Sequence, residues 1–118
     1  MTRVARIEER IKKEVSQIIR EDVNDPRIGF VSITKVELTK DLESAKIFIS
    51  ILGTEKEKVD SMAGLTSATS FVRGKLGNVL IIRFMPTIRF VRDDSLEKGS
   101  HVLNIMAGIK KDDSQQNS

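Results

Sequence analysis

Between Ala45 and Ile51 apolar residues recur at every second position, as Ala45, Ile47, Ile49 and Ile51. A period of two belongs to a β-strand with one buried face, and such a face needs a layer to cover it. The flanking periodicities say which elements supply that layer. Residues 3–22 place Val4, Ile7, Ile11, Val15, Ile18 and Ile19 at spacings of three and four, one stripe of an amphipathic helix that Thr2 can cap. Pro26 stops it and pushes Asp25 out of the helical region. From Phe30 to Leu38 the alternation runs Val31, Ile33 and then Val36, Leu38, slipping by one residue near Thr34 and Lys35, which predicts a bulge. A turn at Thr39–Leu42 joins the two strands as a hairpin.

Beyond Gly53, Thr54 is placed to cap a short helix from Glu55 that ends near Gly64. A second helix over Leu65–Leu76 puts Leu65, Ala68, Phe71, Val72 and Leu76 on one side, with Gly77 as its C-terminal cap. Val79–Val91 reads as one long strand, Ile82, Phe84, Ile88 and Phe90 sharing a face and Arg83 and Arg89 the opposite one. Pro86 places that strand at an edge or at a bulge. Asp93-Asp94-Ser95 is set to cap a last helix through Met106, and residues 110–118 form a flexible polar tail behind a single domain spanning 1–109.

Three strands make a core only if the helices cover one face, so the expected fold is α+β, a two-layer sandwich with a three-stranded sheet in the order α-β-β-α-α-β. By analogy, the β-α-α-β portion matches K-homology modules, and the leading helix and strand give their type II arrangement. At 118 residues, 39% hydrophobic and 31% charged, the chain has material for one core inside a highly charged surface. It has no cysteine, which fits a reducing compartment, and the first twenty residues carry no apolar signal region. The cytoplasm is the expected location, with no membrane partner.

Net charge is only +3, but its distribution is uneven. From Ser61 to Arg92 there is no Asp or Glu, while Arg73, Lys75, Arg83, Arg89 and Arg92 all fall there. Such a stretch suits a polyanion; the competing explanation is that an acid-poor segment is simply the buried part of the fold. On the first helix Arg3, Arg6, Arg10 and Lys13, with Lys12 and Arg20, form a secondary basic patch. A solvated face with ion pairs such as Glu9 with Lys13 accounts for it equally well. Phe48, Phe71, Phe84 and Phe90 sit at positions that favour the core, and there is no Tyr or Trp. Recognition of RNA shape and phosphate is therefore expected over stacking on bases.

Catalysis finds little support. His101 is the only histidine, so no histidine or thiolate metal cluster can form within the chain. Asp94, Ser95 and His101 hold the residue types of a hydrolytic triad, but helix capping explains Ser95 better. Ser95-Leu96-Glu97-Lys98 matches S-x-x-K without its companion motifs. Asp93 and Asp94 are the sole carboxylates near the basic stretch from which a nuclease site could be built. No cofactor and no small-molecule substrate are implied, and the chain is expected to be monomeric. Gly74-Lys75-Leu76-Gly77 is a literal G-x-x-G, the backbone clamp of ordinary K-homology modules, but it falls just before the last strand and not between the helices.

Asp25-Pro26-Arg27-Ile28-Gly29, Asp41-Leu42 and Ala45-Lys46, followed by Phe71-Val72-Arg73, Leu76-Gly77, Arg83, Pro86, Ile88, Phe90, Asp93-Asp94-Ser95 and Gly99, resemble the bacterial ribosome-binding factor A family from Arg3 to about Ile109. The resemblance implies a type II K-homology-like fold that binds the immature small ribosomal subunit. It further implies contact with ribosomal RNA near the decoding region, help in late maturation and a part in cold adaptation. It also implies an Ala-x-Gly kink between the two central helices, which maps onto Ala68-Thr69-Ser70, with Ser70 in place of the glycine. The alternative from another class is a protein-interaction module that docks on a ribosomal protein or processing enzyme through the apolar edge of its last strand.

Overall fold

The computed structural model describes residues 1–95. The Thr2 hydroxyl accepts the Ala5 amide at 3.0 Å and starts α1 (Arg3–Glu21), which buries Ile11, Val15, Ile18 and Ile19. Those four are the C-terminal part of the stripe that the spacing predicts. After α1 the chain turns through Asn24–Gly29, where the Asp25 carboxylate accepts from both the backbone and the guanidinium of Arg27. Ser61, buried on the next helix, accepts the Gly29 amide at 3.0 Å and donates to the Arg27 carbonyl at 3.3 Å. The turn is thus stapled to a helix more than thirty residues away.

β1 (Phe30–Leu38) and β2 (Ser44–Leu52) pair antiparallel. Their register shifts between Ile33 and Lys35, leaving Thr34 as the extra residue, so that Ile33 and Val36 both reach the core. Gly53, at a φ of 141°, turns β2 into α2 (Glu55–Ser67); a Cβ there would lie 2.7 Å from a Glu57 carboxylate oxygen. That carboxylate is needed where it is, because Thr54 and Glu57 cap α2 reciprocally. One residue, Ala68, separates α2 from α3 (Thr69–Gly77). The first of these helices runs past Gly64, its expected end. Gly64 is instead a packing position, with Ile28 and the Asp25 carboxyl occupying the space a side chain would need.

β3 (Thr87–Arg92) pairs parallel with β2, giving a mixed sheet in the order β1-β2-β3. It is shorter than the run of β-formers predicts. Thr87 already pairs with Ser44, the first residue of β2, so residues before it have no partner, and Pro86 has no N–H to offer one. Residues 79–86 are therefore a loop. Helices cover one sheet face, and Ile33, Val36, Leu38, Ala45, Ile47, Ile49, Ile51, Ile88 and Phe90 meet Leu65, Val72, Leu76 and the α1 stripe in one core. The opposite face carries Lys35, Lys46, Phe48 and Arg89. The architecture is the two-layer α+β sandwich of type II K-homology order. The helix expected through Met106 and the polar tail lie outside the described residues.

Candidate nucleic-acid interface

Arg3, Arg6, Arg10 and Lys13 follow one another at spacings of three and four, so they share one exposed face of α1. Arg10 ties that face to the rest of the molecule. Its Nε meets the Glu14 carboxylate at 2.9 Å, while its Nη2 donates to the Val79 carbonyl at 3.3 Å, the start of the loop that precedes β3. Lys75 is exposed on the last turn of α3, with its Nζ 5.7 Å from the centre of the Phe71 ring. Arg83 is exposed on the loop, 5.4 Å from the centre of the Phe84 ring. The N-terminal half of α1, the end of α3 and the loop thus form one basic end of the domain. Among the described residues Arg3, Arg6, Lys13, Lys75 and Arg83 take part in no ion pair.

The other cations of the acid-free stretch are placed differently. Arg73 is exposed but lies along the loop: its Nε donates to the Pro86 carbonyl and its Nη2 to the Met85 carbonyl, each at 2.8 Å. Arg92 binds Glu55 through two nitrogens at 2.7 Å and Asp94 at 3.0 Å. Those hydrogen bonds, with Glu55 the strongest, raise its pKa still further and hold the Glu55 carboxyl below the usual range. Both guanidinia are engaged by acceptors of the fold. Arg89 is exposed, but on the outer face of the sheet beside Lys46, a layer away from α1.

The kink residues lie elsewhere again. Ala68 takes φ −86° and ψ −1°, angles open to any residue, and the Thr69 hydroxyl donates to the Leu65 carbonyl at 3.2 Å. Helix direction therefore changes there without a positive φ, and Ser70 needs none of glycine's freedom. A shallow cleft beside the kink is bordered by Asp22, Asp25, Ala68 and Phe71, so carboxylates face it. A larger apolar groove of about 650 Å³ runs between the end of α1 and the start of β1, lined by Ile19, Val23, Ile28, Phe30 and Val31 among others. It coincides with neither the kink nor the basic end.

Exposed rings are the feature that residue types did not foretell. Of the five phenylalanines only Phe90 is buried; Phe30, Phe71 and Phe84 are exposed and Phe48 is half-buried beneath Lys35, whose Nζ lies 4.7 Å from the ring centre. The expectation that Phe48, Phe71 and Phe84 belong to the core is corrected. Pro86, which ends the strand early, is the sequence signal that could have released Phe84. The carboxylates near the basic stretch are structural: Asp93 accepts from Thr34 and Ser95, and Asp94 from Arg92. Among the described residues no cluster of His, Cys, Asp or Glu could hold a metal ion, and no helix is long and apolar enough to cross a membrane.

A type II K-homology-like α+β domain with one basic, aromatic-bearing end is the class that fold and surface define. The model of one protein family, ribosome-binding factor A, matches residues 3–106. Ribosome-binding factor A of Carboxydothermus hydrogenoformans is 44% identical over 108 residues, covering 92% of this chain and 86% of the relative. That of Clostridium novyi is 42% identical over 110 residues, covering 92% and 91%. The crystal structure of ribosome-binding factor A from Thermus thermophilus superposes with a TM-score of 0.68 at 20% identity, covering 75% of this chain and 93% of that one. A homology model of the Thermus thermophilus factor, fitted into a cryo-electron-microscopy map of a complex of that factor with the 30S subunit, superposes with a TM-score of 0.64 at 20% identity, covering 77% and 96%. The chain belongs to the ribosome-binding factor A family.

Proposed function

We propose that this protein is a cytoplasmic, non-catalytic assembly factor that binds the immature small ribosomal subunit through its rRNA. It acts as a monomer, assists late maturation near the decoding region and matters most in the cold, where misfolded RNA rearranges slowly. Family membership and the Thermus relative's complex with the 30S subunit support the partner. One observation supports the chemistry: Arg10 joins the basic face of α1 to the loop carrying Arg83, within a stretch that has no acid between Ser61 and Arg92. Cations fixed this way on separate elements match phosphates that are fixed in folded RNA.

Arg3, Arg6, Lys13, Lys75 and Arg83 form the primary surface in this reading, with Arg10 holding the loop to it. Arg89 makes at most a separate contact, and Arg73 and Arg92 serve the fold. Purified protein titrated with protein-free small-subunit rRNA tests it. Each alanine replacement on the primary surface is expected to lower the salt slope by about one unit per lost phosphate contact, with Arg89→Ala changing it less than Arg83→Ala. Binding to intact subunits without binding to protein-free rRNA would instead favour a protein-docking module.

A further inference from the structure

Past the Val79 and Leu80 amides, which both donate back to the Leu76 carbonyl, loop 79–86 belongs to neither helix nor strand, yet it is braced at both ends by arginines from different helices. Arg10 of α1 grips the Val79 carbonyl, and Arg73 of α3 grips those of Met85 and Pro86. Between the braces the side chains divide. Leu80 and Met85 pack against the core and Pro86 is buried, whereas Ile81 is 99% exposed and Phe84 74% exposed. An unanchored loop would be free to fold such side chains inward; this one is held so that they face water. Arg83 lies against the Phe84 ring at 5.4 Å, and Lys75 and the basic face of α1 supply further cations on the same end of the domain.

A flat ring presented in water with a guanidinium beside it fits one chemical class well: a nucleotide whose base is out of its stack. The base takes the open ring surface and the phosphates the surrounding cations, while the planar Arg83 can extend the stack. Paired RNA offers no free base face, so this site discriminates by strandedness. We infer that loop 79–86 is a stacking platform for an unpaired base of rRNA, with Phe84 as the stacking residue and Arg10 and Arg73 as positioning residues. The inference rests on the proposed rRNA binding and adds to it the form of RNA and the residue that reads it.

The chain has no tryptophan, so Phe84→Trp introduces a unique fluorophore at the proposed contact. Single-stranded oligouridylate is expected to quench its emission and a fully paired RNA duplex to leave it unchanged. Phe48→Trp, on the outer sheet face, should respond to neither. In parallel, Phe84→Ala should weaken single-strand binding about tenfold with little change for the duplex and no change in thermal stability. RNA bound without any response at position 84, or equal losses for single strand and duplex, overturns the platform alone and leaves rRNA binding standing. A loss seen with intact subunits but not with protein-free rRNA places Phe84 on a ribosomal protein and likewise overturns it. If the unmodified protein binds no protein-free rRNA, the broader proposal fails as well.

Discussion

The hydroxyl of Thr34, the extra residue in the β1 bulge, donates to the Asp93 carboxylate at 2.7 Å, although β2 lies between their strands. Asp93 also gives its amide to the Ile49 carbonyl at 2.7 Å and accepts the Ser95 amide at 2.9 Å. The bulge therefore does more than shift register; it aims a hydroxyl at the point where β3 ends.

That contact should be visible in the acid limb of stability. Led by the Thr34 hydroxyl and then by Ser95, hydrogen bonding holds the Asp93 carboxyl down from 3.8 to about 2. Because the folded value is the lower one, the stabilisation is complete above about 3.8 and fades as pH falls through about 2. Thr34→Val keeps the branched shape and removes the donor. Its urea midpoint should lie below that of the unmodified protein near neutrality, and the gap should narrow steadily towards pH 2. A gap that is constant across the range would contradict this.

Arg73 should behave as a brace and not as an RNA contact. Arg73→Ala is expected to cost about 1–2 kcal/mol, the scale of a charge-assisted hydrogen-bond pair discounted for its partial exposure. Amide hydrogen exchange in residues 79–86 should accelerate. Affinity for rRNA should fall with the salt slope unaltered, since no phosphate contact is lost; a slope reduced by one unit would return Arg73 to the binding surface.

Two glycines on neighbouring helices should respond in opposite senses to alanine. Gly74→Ala adds a methyl group that would meet nothing within 4 Å beyond its chain neighbours and its own helix backbone, so helix propensity alone decides and stability should rise by about 0.5–1 kcal/mol. Gly64→Ala drives a methyl group to 2.7 Å from Ile28 and 3.3 Å from the Asp25 carboxyl, and overpacking of about 1–3 kcal/mol outweighs the same propensity gain. Chemical denaturation distinguishes them. If the G-x-x-G match at Gly74–Gly77 has no binding role, Gly74→Ala also leaves rRNA affinity unchanged.

At the kink, Ser70→Gly should destabilise. Ser70 lies within α3 and Ala68 holds ordinary angles, so a glycine there adds unfolded-state freedom without relieving strain, at a cost of about 0.5–1 kcal/mol. A thermal melt showing higher stability would mean that the junction carries strain after all.

What could be read from the chain in advance follows from how locally it is encoded. The α1 stripe, the β1–β2 hairpin and the bulge at Thr34 are each written in the spacing of neighbouring apolar residues, and the structure agrees with them. The start of β3 is not local: it is set by Ser44, where its partner strand begins. Nor are the destinations of two arginines. Charge is evident in the residue type, but the acceptors of Arg73 lie 12 and 13 positions on, and the Glu55 partner of Arg92 lies 37 positions back. Phe84 misleads for a related reason, since a ring next to β-branched residues looks like core until the strand is known to start only at Thr87.

β2 sits between its partners, and the two pairings differ in when they can be completed during synthesis. The hairpin needs only β1 and a short turn, but β3 reaches β2 after α2, α3 and the loop have been traversed, a slower, long-range closure. Met85 and Pro86, which hold Arg73, come immediately before the strand that closes last. A half-made copy thus has a sheet and a cationic helix but no rigid perch for Phe84. On the proposed rRNA-binding reading, full engagement of RNA waits until the molecule is finished.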